Sequence, residues 1–333
     1  MKKTLLLFYL CSLSVLFSCN SDNKQEQKSG TAKGASTSAP YELLVVCNKE
    51  WLKTSNAEPL KDIMYADIPC LPQSESYFRT TTIDPVNFNR SFMFYANILR
   101  AEVGPKYTAP ECKVARDVYA RPQIIVTLTA PDQASFQTLC QQYKQQILDL
   151  FNQAELQREI RHLKNSYSGI VQRQAKQQFQ CDLYAPEAIN ATKTGKDFFW
   201  ASSEGQHENY LNICMYAYPF SSASTFTLDY FLAKRDSFMR ENIQGMNETE
   251  YMSTDHRVVQ SRDISVNGHY VQEVRGLWQM ENAPMGGPFV SYSQLDTLRQ
   301  RIIVVEGFVY APGKDKRNFI RELEAALQTL VIH

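Results

Sequence analysis

Apolar positions along this chain follow two periods, and the switch between them divides it into elements. Residues 41–47 read Tyr-Glu-Leu-Leu-Val-Val-Cys, a run that predicts a strand. A short helix over 51–65 is stopped by Pro69 and Pro72. Strands follow at 77–83, 92–103 and 123–128, the last bounded by Pro122 and Pro131. The period then changes: Phe136, Leu139, Tyr143, Ile147, Leu150, Phe151 and Ala154 recur at helical steps, with Pro131 and Asp132 suited to the first turn. The stripe thins but continues through Ile160, Leu163, Tyr167 and Ile170, which predicts a very long or broken helix over 132–177 with a Gln-rich polar face. Strands are expected again at 178–185, 196–201 and 209–218, then a helix carrying Leu228, Phe231, Leu232, Phe238 and Met239. Asn267-Gly268 between alternating runs predicts a type I′ hairpin joining strands 257–266 and 269–280. Strands 289–295 and 301–310 form another pair, and Phe319, Ile320, Leu323, Ala326, Leu327 and Leu330 mark a final helix.

This pattern predicts an α+β fold in which antiparallel sheets pack with helices. The two halves, 41–177 and 178–333, look related and are joined by the long helix. The element order of 178–333 resembles, in topology only, the PsbP-like fold of photosystem extrinsic proteins.

The first forty residues do not fit that grammar. Lys2 and Lys3 precede an apolar stretch over 5–17, too short for the roughly 18–20 residues that span a bilayer as a helix. Leu16-Phe17-Ser18-Cys19 then resembles the lipobox of a bacterial lipoprotein signal. The expected product begins at a lipidated Cys19, and several acyl chains anchor stably where one would not. Residues 1–18 are therefore expected to be a signal peptide and 19–40 the lipidated cysteine with a flexible linker. The segment 20–40 has no aromatic, Leu, Ile or Val and cannot pack a core; as a coil it spans about 25 Å. Asn20 favours the outer membrane under the enteric sorting rule, and Asp22 and Glu26 alone do not decide between its periplasmic and surface sides.

Removal of Lys2 and Lys3 from 35 basic residues leaves 33 against 35 acidic ones. A net charge near −2 gives no electrostatic ground for nucleic-acid binding. Of 8 cysteines, Cys11 leaves with the signal and Cys19 takes lipid. The other six are widely spaced without a C-x-x-C, and an oxidising compartment permits 15 full pairings among them. Cys181 and Cys214, on strands expected to be neighbours, are one candidate disulfide, although Cys47, Cys140 and Cys214 equally suit buried free thiols.

No motif assigns a reaction, a metal or a cofactor. G-x-G-x-x-G, G-x-S-x-G and H-E-x-x-H are missing from the chain, and Gly307 to Lys314 has the wrong spacing for a P-loop, with Asp315 where Ser or Thr belongs. His207 within Glu204-Gly205-Gln206-His207-Glu208 is expected in a solvated hairpin loop, and Asp255-His256-Arg257 offers an oriented imidazole without a nucleophile at useful spacing. The richest segment is 278–289. Trp278, Met280, Met285, Gly286, Gly287 and Phe289 would form a stiff apolar loop between two strands, able to meet a ligand or partner, or else tucked over a sheet end. Asp296-Thr297-Leu298 matches a short O-glycosylation sequon, which makes Thr297 a candidate acceptor.

Several runs together resemble one family: Tyr41-Glu42-Leu43-Leu44-Val45-Val46, Tyr230-Phe231-Leu232-Ala233-Lys234-Arg235-Asp236, Met285-Gly286-Gly287-Pro288-Phe289, Val305-Glu306-Gly307-Phe308-Val309-Tyr310 and Arg321-Glu322-Leu323-Glu324-Ala325. They are similar to Bacteroidota lipoproteins known only as domain of unknown function 4837, over nearly all of 40–333. The resemblance implies an envelope setting and supplies no site. The expectation is a non-catalytic module, tethered to the outer membrane, that binds an envelope protein, glycan or lipid. The alternatives are an envelope hydrolase whose site assembles only in the fold, and an assembly protein docking through its Gln-rich helix.

Overall fold

In the computed structural model of the 333-residue chain, residues 34–203 and 210–333 are described. Cys19 and His207 lie outside those residues.

The first half is built on β1 (Glu42–Val46), β2 (Arg79–Ile83), β3 (Asn97–Val103), β4 (Glu111–Arg116) and β5 (Ile124–Ala130), with α1 (Lys49–Leu52), α2 (Glu58–Met64) and α3 (Arg90–Met93) in the connections. Its sheet order is β2-β1-β3-β5-β4. β1 runs parallel to β2 and β3, and β3 parallel to β5; β4 alone is antiparallel. This corrects the expectation of an antiparallel sheet here. Every residue of β1 is buried, because Leu43 and Val45 enter one apolar cluster and Leu44 and Val46 another on the opposite face. A strand covered on both faces reads as a continuous apolar run, the mark of a parallel sheet.

The long helix, α4 (Gln133–Asn165), is capped by Asp132, whose Oδ1 accepts from Ser135 N at 2.9 Å. Its 33 residues extend about 50 Å, too far for one small domain. Phe136, Leu139, Ile147 and Phe151 pack into the first half; Leu156, Ile160 and Leu163 belong to the core of the second. Ser168 then caps α5 (Gly169–Gln174), and left-handed Gln180 (φ 58°) ends the π-turn that follows.

The second half adds β6 (Cys181–Asp182), β7 (Ala191–Gly195), β8 (Phe198–Ser202), β9 (Tyr210–Pro219), α6 (Leu228–Asn242), β10 (Met252–Val266), β11 (His269–Met280), β12 (Ala283–Asp296), β13 (Arg301–Tyr310), α7 (Arg317–Leu327) and β14 (Val331–Ile332). Seven strands form one antiparallel sheet in the order β10-β11-β12-β13-β9-β8-β7, so the α+β class holds. The halves do not share a topology and are not related units. β10 and β11 meet at Asn267-Gly268 with φ of 52° and 82°, the two positive values of a type I′ turn. The 178–185 segment pairs only through Cys181 and Asp182, with β14.

Alternation sorts the large sheet into two faces. Ile213, Met215, Ile303 and Val305 meet α7 and the end of α4, and Cys214, Tyr216, Ile302 and Val304 meet α6. Gly307 lets α7 sit close, since a Cβ there would lie 2.7 Å from Leu323 Cβ. α6 is pinned by Arg235, which donates to Glu306 with both groups fully buried, lies 3.9 Å over the Phe289 ring and reaches Thr254. Glu75 of the first half caps α7 of the second, accepting from the backbone N–H of Lys316 at 2.7 Å and Arg317 at 2.8 Å.

Candidate functional site

A polar cavity of about 810 Å³ lies where α4 and the segment before β2 meet β10, β11 and α7. Its charged floor is a chain of five residues from three elements. Arg262 on β10 stands opposite Glu273 on β11 and donates to it from Nε at 2.5 Å. Arg275, two residues on and therefore on the same face, donates to Glu273 at 2.9 Å and pairs with Glu324 at 2.5 Å. One turn back on α7, Arg321 donates from Nη1 to Glu324 at 2.6 Å and stacks 4.8 Å from the Tyr77 ring of the first half. Glu273, Arg275, Arg321 and Glu324 are all buried. Burial alone would raise the Glu273 carboxyl, but Arg275 and Arg262 outweigh it and hold the group well below the usual carboxylate range. Burial would likewise lower Arg275, and Glu324 and Glu273 more than compensate. Each of these two groups thus keeps its charge because of the other and of its further partner.

Two buried atoms of the lining residues have no hydrogen-bond partner among the described residues. They are Arg321 Nε, a donor, and Asn152 Oδ1, an acceptor presented by α4. The rest of the wall mixes amides and hydroxyls, among them Gln153, Gln157, Gln260 and Ser261, with charged Asp149, Lys164 and Asp182 and with apolar side chains such as Ile160 and Ile264. Sequence reading missed this site. A signal existed in Glu273 and Arg275 at inward positions of an apolar strand, and in Arg321 and Glu324 beside the apolar face of α7. Their convergence depends on how α7 crosses the sheet.

The predicted apolar loop is instead a hairpin. β11 runs to Met280, the turn is Glu281-Asn282, and β12 starts at Ala283, with Gly287 opposite Trp278 and Phe289 opposite Gly276. Gly286 and Gly287 are strand residues where neighbours approach closely. A Cβ on Gly287 would run into the Val309 carbonyl oxygen, and one on Gly286 would lie 2.9 Å from the Trp278 carbonyl oxygen. Phe289 is buried beneath Arg235. Trp278, Met280 and Met285 do line an apolar basin of about 590 Å³, together with Trp200, Tyr310 and Met252.

The other predicted residues disperse. All six described cysteines are free. Cys181 and Cys214 cannot pair across the sheet, because one sits in the cluster under α7 and the other in the cluster under α6. His256 is 57% exposed, and its partner is Asp236 of α6 at 2.7 Å rather than Asp255, which binds Arg257. Thr297 is exposed in the β12–β13 turn, while Asp296 turns inward to Arg299 and Arg301. Among the described residues no group of three His, Cys, Asp or Glu side chains is placed to hold a metal.

Comparison with known families divides the chain at the end of α4. Residues 168–329, the antiparallel sheet with α6 and α7, match the family described as domain of unknown function DUF4837. The second half is thus similar to that family. Residues 36–164 match another family, domain of unknown function DUF8532. The resemblance drawn from the sequence is thus right for the second half and too broad for the first. The floor residues Arg262, Glu273, Arg275, Arg321 and Glu324 all lie in the stretch that matches DUF4837, while Asn152 and Tyr77 lie in the stretch that matches DUF8532. The cavity is a joint product of the two. No curated protein matches the chain. A crystal structure from Bacteroides thetaiotaomicron VPI-5482 matches at 11% identity over 46% of this chain and 45% of that chain, with a TM-score of 0.22.

Proposed function

We propose that this chain is a lipid-anchored envelope protein that binds a small polar ligand in the cavity between its DUF8532 and DUF4837 domains. One observation above the others supports this reading: a cavity of some 810 Å³ between the two halves, two of whose lining residues carry a buried unpartnered donor and a buried unpartnered acceptor. Buried polar groups are costly when unsatisfied, and domain boundaries are where ligand sites concentrate. Binding is favoured over hydrolysis because His256 stands exposed on a strand, and the nearby Ser253 hydroxyl is bound to Glu281 at 2.5 Å. The tether rests on Lys2, Lys3, the apolar stretch and Ser18-Cys19, with the outer membrane as the expected location.

Two measurements test the two parts. Cys19→Ala should move the chain from the membrane to the soluble fraction; retention in the membrane contradicts the anchor. Native mass spectrometry of the chain taken from its own membranes should show an adduct below about 1 kDa on the natural sequence and none on Gln157→Trp, which fills the cavity from an exposed position of α4. A natural chain without an adduct contradicts the ligand reading.

A further inference from the structure

The charged floor has a sign. Among the described residues Arg262, Arg275 and Arg321 form their ion pairs with Glu273 and Glu324, so three cations meet two anions. Both oxygens of each carboxylate are already taken by guanidinium groups. Glu273 is held by Arg262 and Arg275, and Glu324 by Arg275 and Arg321. The surplus cation is therefore expressed as free N–H donors, and the one fully shielded from solvent is Arg321 Nε. Arg321 is 2% exposed, and its plane is fixed by the Tyr77 ring below and Glu324 beside it. A guanidinium locked in position with an unpartnered Nε donor is suited to a carboxylate. Asn152 Oδ1, 9% exposed on the α4 wall, needs the complementary group, an N–H or O–H. Lys164, Asp149 and Asp182 complete the charged lining and leave it neutral as a whole, so selection would come from the floor rather than from long-range attraction.

Resting on the cavity reading above, we infer that the ligand bears a carboxylate, bound at Arg321, together with a neighbouring N–H or O–H donor, bound at Asn152. A short peptide and a sugar acid share that chemistry. Matched pairs of probes separate them: Gly-Gly-Gly against its C-terminal amide, and glucuronic acid against glucose, each titrated calorimetrically into the full chain in detergent.

In at least one pair the acid should bind at least tenfold more tightly than the partner that lacks the carboxylate, and the preferred pair identifies the source. Arg321→Lys keeps the charge but removes the Nε donor, and should weaken the acid at least tenfold while leaving the partner without a carboxylate unchanged. Asn152→Leu, on a different element, should weaken the acid at least fivefold and serves if the Arg321 variant unfolds early in a thermal scan. A preference below tenfold in both pairs, or no binding by either, overturns the inference, as does a preference that survives both substitutions. The cavity reading is judged separately by the adduct on the natural chain and its loss in Gln157→Trp.

Discussion

The stability of the chain should fall as Glu322 ionises. Glu322 sits on α7 in a recess shared with Glu159 and His162 of α4 and with Tyr41. Burial, and after it the neighbouring Glu159 carboxylate, pushes Glu322 up from 4.5 to about 7, and burial pushes Glu159 up as well. A carboxyl that titrates higher in the folded than in the unfolded chain favours folding when protonated. Its contribution is complete below about pH 4.5 and is lost as the pH rises through about 7. At about 1.36 kcal/mol per pKa unit the cost above pH 7 has a ceiling near ~3 kcal/mol; partial exposure and solvent screening reduce it to about 1–2 kcal/mol. Glu322→Gln removes the charge with little change in shape. Urea denaturation should find the variant more stable than the natural chain by about 1–2 kcal/mol at pH 8, and indistinguishable from it at pH 4.5. No gain at pH 8, or an equal gain at both values, would refute the reasoning.

Two further substitutions probe the frame that positions the cavity. Glu306→Gln leaves Arg235 buried beside Phe289 without its counter-ion and should cost about 3–5 kcal/mol in denaturant unfolding; Arg235→Met added to it should recover most of that loss, and failure to recover would show that the pair is not the cause. Gly287→Ala places a methyl group against the Val309 carbonyl and should cost about 2–3 kcal/mol, seen as a lower thermal midpoint; a neutral outcome would mean that β12 and β13 can separate at no cost.

Much of the frame was legible in the sequence because it depends on local chemistry. Asn267-Gly268 specifies its turn by backbone preference alone, and the apolar spacing of α4 and α7 marks helices wherever they pack. The direction of the first sheet was misread from Leu43-Leu44-Val45-Val46, where a continuous apolar run already indicated burial on both faces and parallel pairing. The 278–289 segment was misread for a different reason. Gly286, Gly287 and Pro288 suggest a loop by composition, yet the glycines are there because Trp278 and Val309 come too close for a Cβ. The cavity was least visible. Its floor joins residues 262, 273, 275, 321 and 324, and its acceptor comes from residue 152, in the stretch that matches a different family; only the crossing of α4 and α7 over the sheet brings them together.

Hydrogen–deuterium exchange of the full chain tests the central claim most directly, comparing protein as taken from its own membranes with the same protein after small molecules are stripped by reversible unfolding. A ligand seated in the cavity should slow exchange in the native-loaded form at 149–164 of α4, 260–266 of β10 and 321–327 of α7, while leaving α6 and β7 unchanged. Identical exchange in the two preparations, or a difference confined to the apolar basin around Trp278 and Met280, would contradict it.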